Sequence, residues 1–301
     1  MRLRTLPLSL SGVVCGAFMA LAAYPSLSSQ LSSLVARLSS LLLTTVCLQI
    51  LSNLSNELGD HLSGTDGGDR EGPLYSLGEG RITVTRFRRV IGLFVGFCCL
   101  FGTAMTWCVF GTLLCQGAAA MLALGACAIW AAMHYTLGRH PYGYRGWGDV
   151  FVFLFFGLVS VLGGDWVMAG GQLPNGWALL PACGIGLFSV GVLNVNNIRD
   201  MQSDAATRVT VPLRIGERRA KVYQTCLILG GWACFLLYTG LAPHSSLLTP
   251  HSSLYLLLLP AYAVHLAGVW KRSGKALDPM LPLLVMSTFA LAILFGVGIV
   301  V

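Results

Sequence analysis

Polar residues are scarce along this chain, and they fall in blocks. Between the blocks run nine apolar stretches, approximately 6–24, 34–56, 90–109, 112–133, 149–169, 177–198, 222–241, 253–270 and 279–301. Each is long enough, or nearly so, to cross a hydrocarbon core of roughly 30 Å as a helix. The continuous run 90–135 is too long for one span, and the expected turn falls near Phe110 and Gly111, which makes two tightly joined helices. The pattern predicts an all-α polytopic membrane protein of nine transmembrane helices, folded as a single integral-membrane domain over residues 1–301.

Composition removes the competing class. The chain is 55% hydrophobic and only 10% charged, with a mean hydropathy of +0.73, whereas a water-soluble globule carries about 25% charged residues. Charge placement then tests the helix count, because Lys and Arg accumulate in short cytoplasmic loops. With the N-terminus inside, the tail holds Arg2 and Arg4 and the second loop Arg70, Arg81, Arg86, Arg88 and Arg89. The fourth loop holds Arg139 and Arg145, the sixth Arg199, Arg208, Arg214, Arg218, Arg219 and Lys221, and the eighth Lys271, Arg272 and Lys275. Eighteen of the 19 basic residues thus share one side, and only Arg37 falls on the other. A missing or extra span would flip every loop downstream of the error. The formal charge of +7 is accordingly read as topology and contact with anionic membrane lipid, not as affinity for nucleic acid. The segment from Met1 to Tyr24 resembles a signal peptide, but residues 22–24 make a poor cleavage site and an uncleaved first span suits the topology better. The ten cysteines show no metal-binding spacing and read as buried thiols.

Two acidic clusters stand out against this background. Asn56-Glu57-Leu58-Gly59-Asp60 is followed by Asp66, and Asn196-Asn197-Ile198-Arg199-Asp200 is followed by Asp204. Each places Asn four residues before Asp, which puts the pair on one helix face. Asn196, Asp200 and Asp204 are expected to form a polar stripe at the cytoplasmic end of the sixth span, and Asn56 and Asp60 the same stripe on the second. Gly64 breaks the first pattern, so Asp66 is expected on a loop. Positions 56–71 alone hold Glu57, Asp60, Asp66, Asp69 and Glu71, a large share of the chain's 12 carboxylates. Capping and loop solvation explain one such cluster but explain poorly two with matched spacing. Facing carboxylate stripes are suited to hold Mg2+, which binds through a few carboxylates together with phosphate oxygens. The implied substrate is a phosphate or diphosphate ester.

Beyond these residues the chain resembles the UbiA superfamily of intramembrane prenyltransferases. The resemblance is carried by Arg4-Thr5-Leu6-Pro7, by Gln49 to Asn56 leading into Gly59-Asp60, by Gly80-Arg81-Ile82-Thr83, by Tyr142 to Gly148, by Leu193 to Asp200 leading into Asp204, and by Arg214-Ile215-Gly216. Within the superfamily the nearest pattern is the branch that prenylates 1,4-dihydroxy-2-naphthoate for menaquinone biosynthesis. The resemblance implies nine helices around a central cavity, with Asp60, Asp200 and Asp204 catalytic and Mg2+ held by Asp60, Asp66, Asp200, Asp204 and Glu57. Asn56, Asn196, Asn197, Arg145, Arg199 and Arg139 would bind substrate. The implied partners are a polyprenyl diphosphate, the naphthoate and membrane lipid, and the implied location is the cell inner membrane with the site facing the cytoplasm. Loss of diphosphate would give an allylic cation, and attack by the naphthoate carbon bearing the carboxylate would be followed by loss of carbon dioxide and a proton. Glu57 departs from the family pattern, which has Asp there. Other acceptors, such as a hydroxybenzoate, homogentisate or a porphyrin, fit the same two clusters. A transporter of divalent cations or phosphorylated lipids would instead be expected to place ionisable groups near the bilayer midplane. Phe151, Phe153, Phe155 and Phe156 offer apolar surface for a tail, each reading singly as packing or lipid contact, and Gly184, Gly186 and Gly191 offer close helix approach.

Overall fold

The computed structural model describes residues 5–63, 77, 82–205, 207–242 and 251–301. Among them nine helices are long and apolar enough to span a membrane: α1 (Leu6–Ala23), α2 (Leu31–Leu62), α3 (Val84–Phe110), α4 (Gln116–His134), α5 (Gly148–Met168), α6 (Gly176–Arg199), α7 (Glu217–Leu241), α8 (Leu254–Lys271) and α9 (Gly274–Val300). Every apolar stretch read from the sequence is one of these helices. The turn between α3 and α4 falls at Gly111, whose φ of 66° suits a residue without Cβ and whose N–H donates to Trp107 O at 2.8 Å. The helix ends differ by up to six residues: α2 runs on to Leu62 past the apolar limit at 56, and α3 begins at Val84 ahead of the limit at 90. Hydropathy falls at Asn56, Glu57 and Asp60, yet all three stay helical because tertiary contacts cover that last turn.

The scaffold is built around α1, which packs along α5 and α9, and around α6, which packs along α7 and α5. Small residues set these distances. A methyl group on Gly16 would strike the Val161 carbonyl oxygen, and one on Gly157 would lie 2.6 Å from Gly186 Cα, so α1, α5 and α6 touch nearly backbone to backbone. Over the other face of α6, Phe188, Trp232, Phe235, Tyr255, Tyr262 and Phe295 close the largest core cluster. On the opposite side α2 packs on α3 and α4. α3 and α4 are the least buried spans and α6 the most. Within α5, residues Phe153–Val159 form a π-helical stretch between α-helical ends.

Arg37, the exception to the charge count, is not a loop residue. It sits in α2 and its Nη1 donates to Met168 O at 3.2 Å, satisfying a carbonyl at the C-terminal end of α5. At the other end of the bundle the even-numbered connections meet. Val209 N donates to Tyr144 O at 2.9 Å, and an isolated parallel bridge joins Arg145 to Val209, so the α4–α5 and α6–α7 connections are clasped together. Tyr144 Oη lies 3.1 Å from Ser63 Oγ at the end of α2.

The glycine contact makes a paired prediction. Gly16→Val should lower the thermal unfolding midpoint of the detergent-solubilised protein, with an overpacking cost of about 1–3 kcal/mol. Gly92→Ala in α3, where nothing lies within 4 Å of the added carbon, should not. Equal midpoints for the two variants would show that the α1–α5 approach is looser than described.

Candidate active site

α4 packs against α2 and α3 while α5 packs against α1 and α6, and the space left among them is a cavity of about 720 Å³. It has two ends of different chemistry. One is lined by Asn56, Asp60, Asn196, Asn197, Arg199, Arg208 and Asp278; the other is apolar, with Leu41, Met105, Met121, Phe155, Phe156 and Trp166 among its walls. Phe151 also faces it and stacks on Tyr142 at 3.8 Å between ring centroids. Phe153 does not line it and packs on Gly186 instead.

Asp60 is carried into the site by the last turns of α2. Its neighbour Gly59 lets α2 close onto Thr136, whose Oγ1 donates to Ser55 O at 2.9 Å and to Asn56 Oδ1 at 3.2 Å. The Asp60 carboxylate is only 1% exposed. Tyr144 Oη donates to its Oδ1 at 2.9 Å and Arg208 Nη2 lies 3.0 Å from the same oxygen. Burial first, and then the neighbouring Asp60 charge, push the Tyr144 phenol up to about 12. It therefore remains a donor throughout the neutral range.

The second cluster leaves α6 without losing the helical ladder. Asp200 N donates to Asn196 O at 3.1 Å, Asp204 N to Asp200 O at 2.9 Å and Arg208 N to Asp204 O at 3.0 Å. α6 itself ends at Arg199 and a short turn, Met201–Asp204, follows, so the expected stripe is realised across a helix end rather than on one helix. Arg199 grips Asp200 with two nitrogens, Nε to Oδ1 at 2.7 Å and Nη2 to Oδ2 at 2.6 Å. Its Nη1 reaches Asp278 Oδ1 at 2.8 Å and its Nη2 also donates to Asn196 Oδ1 at 3.0 Å. Asp204 is buried, and Arg208 Nε stands 3.1 Å from its Oδ1. One guanidinium thus spans both acidic clusters, with its central carbon 5.0 Å from the centroid of the Tyr144 ring. Burial opposes the Arg208 charge, but Asp60 and Asp204 outweigh it and hold its pKa above the ordinary value.

The other expected residues divide. Asn56, Asn196 and Asn197 line the cavity with Asp60, whereas Asp200 and Asp204 stand behind its lining residues Arg199 and Arg208. Glu57 is buried outside the lining and accepts a hydrogen bond from Leu77 N at 3.3 Å. Arg139 and Arg145 are exposed and do not line the cavity; Arg145 Nη2 is 2.6 Å from His140 Nδ1. Asp66 lies outside the described residues, as do Asp69, Glu71, Arg4 and Arg81. Sequence reasoning overlooked Arg208 and Asp278 as site residues, and with them a run of neutral groups, Thr5, Ser9, Gln49 and Asn53, that hydrogen-bond to one another along the α1–α2 wall. Arg208 carried a signal, since it continues the four-residue spacing of Asn196, Asp200 and Asp204.

Among the described residues no three acidic, histidine or cysteine side chains converge closely enough to hold a metal ion by themselves. The donors that line the polar end are nonetheless hard oxygens, and the position between Asp60 and Asp204 already holds a cation in the form of a guanidinium. That donor set fits magnesium bound by a few carboxylates with the remaining positions filled by phosphate oxygens and water.

The membrane-spanning bundle thus encloses a long cavity that is apolar along much of its wall and carries acidic side chains and arginines at its head. The model of the UbiA prenyltransferase family matches residues 9–278, and the chain belongs to that family. It is 36% identical over 99% of its length to the 1,4-dihydroxy-2-naphthoate octaprenyltransferase of Escherichia coli (strain K12), covering 93% of that protein. To the protein of the same name from Haemophilus influenzae it is 33% identical, covering 100% of this chain and 94% of that one. Among solved structures it is similar to the apo structure of a UbiA homolog from Aeropyrum pernix K1, with a TM-score of 0.68 at 16% identity over 100% of this chain and 98% of that one.

The placement of Glu57 yields a second prediction. Glu57→Gln keeps an acceptor for the Leu77 N–H, so prenyltransfer activity should stay within about threefold of wild type, whereas Glu57→Ala leaves a buried donor unpaired at a cost of about 1–3 kcal/mol in stability. Loss of metal-dependent activity in a stably folded Glu57→Gln protein would make Glu57 a ligand.

Proposed function

We propose that this chain transfers a polyprenyl group from polyprenyl diphosphate to 1,4-dihydroxy-2-naphthoate, with loss of carbon dioxide and diphosphate, to give demethylmenaquinol in menaquinone biosynthesis. The reading is supported by homologues named for that activity over almost the whole chain. The observation that carries it structurally is that Asp60, Asn196, Asn197, Arg199 and Arg208 line the polar end of a cavity with largely apolar walls beyond, and that Arg208 joins Asp60 there to Asp204 of the second cluster.

Each part of the cavity has a task in this reaction. Asp60, Asp200 and Asp204, with Asp66 from the segment outside the described residues, would hold Mg2+, which when bound would supply Lewis-acid neutralisation of the leaving diphosphate. Arg199 lines the cavity and offers its guanidinium to phosphate oxygens; Arg145 and Arg139 stand further out and are assigned no contact in this conformation. Asn56, Asn196 and Asn197 add neutral hydrogen bonds around the head group. The apolar walls hold the isoprenoid tail and keep water from the reacting carbon, which would otherwise be captured as a prenyl alcohol. As the C–O bond to diphosphate breaks, a C–C bond forms at the ring carbon bearing the carboxylate. Departure of that carboxylate as carbon dioxide returns its bonding pair to the ring and restores aromaticity by itself, so the proton loss expected from the sequence does not accompany it.

The charge asymmetry of the loops supports a cytoplasmic site in the cell inner membrane, with the N-terminus inside. With nine crossings, a reporter fused after Val301 should lie on the outer face; a cytoplasmic C-terminus would overturn the orientation.

Purified protein given Mg2+, 1,4-dihydroxy-2-naphthoate and a polyprenyl diphosphate should form the prenylated product and release carbon dioxide. Turnover of a hydroxybenzoate but not of the naphthoate would replace the acceptor while leaving the class of reaction intact. Asp60→Ala and Asp200→Ala should each lower the rate by a factor of at least about 100 while the protein remains membrane-inserted, and full activity in both would remove the clusters from the chemistry.

A further inference from the structure

We infer that Arg208 is the resident counter-cation of the two acidic clusters: in the unloaded protein its guanidinium holds Asp60 and Asp204 together, and on loading it gives up those carboxylates and takes oxygens of the diphosphate. The inference rests on the metal-diphosphate reading above and assigns a positioning role to a residue that neither acidic motif contains.

Three observations support it. The first is electrostatic. Asp60 and Asp204 are 1% and 4% exposed, and a buried carboxylate left without a partner is strongly destabilising. Arg208 contacts both, through Nη2 to Asp60 Oδ1 at 3.0 Å and Nε to Asp204 Oδ1 at 3.1 Å. The second is geometric. Although Nε is that close to Asp204, its hydrogen is not directed at the oxygen, and Nε is a buried donor without a hydrogen bond. An unused donor beside the cavity is available to a better-placed anion. The third is position. Arg208 lines the same cavity as Arg199, Asn196 and Asn197, and its guanidinium lies over the Tyr144 ring, which shields the charge on one side while leaving its edge able to exchange partners.

The consequence is coupled binding. A metal ion arriving alone must displace a guanidinium already bound to its ligands, and the displaced charge has nowhere comparable to go. With diphosphate present the displaced guanidinium gains phosphate oxygens, so metal and diphosphate should favour each other's binding. The same exchange keeps the clusters assembled between turnovers.

The test is Mn2+ binding to the full-length detergent-solubilised protein, read from the electron paramagnetic resonance of free Mn2+ with and without inorganic diphosphate, together with thermal unfolding. Wild type should bind Mn2+ weakly alone and much more tightly with diphosphate. Arg208→Gln should bind Mn2+ alone about tenfold more tightly than wild type, because removing a competing state removes its tax on affinity, and should lose most of the gain from diphosphate. Its unfolding midpoint should be lower than wild type without metal and should recover with Mn2+. Folding only in the presence of Mn2+ would support the same conclusion. If Arg208→Gln does not fold at all, Arg208→Lys decides: a single ammonium cannot bridge as the guanidinium does, so Mn2+ alone should bind more tightly than to wild type. A folded variant with wild-type Mn2+ affinity and an undiminished diphosphate effect would overturn the inference. Failure of wild type itself to bind Mn2+ with diphosphate would instead overturn the metal-diphosphate reading.

Discussion

Two carboxylates withdrawn from water at the head of an apolar cavity need a cation, and the architecture of this end of the bundle follows from that need. Arg208 meets Asp60 and Asp204, Tyr144 donates to Asp60, and Arg199 clamps Asp200 against Asp278. Each contact joins a different element: the end of α2, the α4–α5 connection, the α6–α7 connection and the start of α9. Ion pairs and hydrogen bonds cross all four. The same groups that satisfy the buried acids therefore fix the shape of the site, and charge that would cost stability in isolation becomes the device that assembles the loops.

Packing elsewhere has a complementary purpose. Glycines bring α1, α5 and α6 into close backbone contact and leave α4 on the far side of a gap. The cavity is what remains when a tightly built half faces a loosely enclosed one. Its polar and apolar ends are separated along the helix axes because the acidic residues of α2, Glu57 and Asp60, and the residues Asn196, Asn197 and Arg199 of α6 fall at the ends of those helices.

Much of this was legible in the order of residues, for identifiable reasons. A span of about twenty apolar residues has one common meaning, so the helix count and the turn at Gly111 could be read directly. The matched Asn and Asp spacings marked the site because carboxylates are rare in this chain. Hydropathy alone ended α2 at 56, whereas the four-residue spacing kept Asn56 and Asp60 on the helix, where Thr136 and Tyr144 from distant sequence contact them. Arg208 continued the four-residue spacing and was read only as a loop charge, since its partner Asp60 lies 148 positions away. Arg145 and Arg139, taken as diphosphate contacts by resemblance, stand outside the cavity lining, and nothing in their local sequence distinguishes a buried arginine from an exposed one. Arg37 opposed the topology rule because it serves a helix end inside the protein.

The π-helical stretch of α5 has a consequence for the register of the whole helix. An α-helix turns by about 100° per residue, and a π segment admits an extra residue over the same rise. Phe153–Val159 therefore acts as a phase shifter. Before it, α5 turns Phe151 to the cavity, and beyond it Gly164 meets Val13 while Trp166 returns to the cavity wall. Removing a single residue from that stretch would relax it to an ordinary helix and rotate one half of α5 against the other. The helix would keep its length and apolarity, and it would lose the agreement between its cavity face and its packing face.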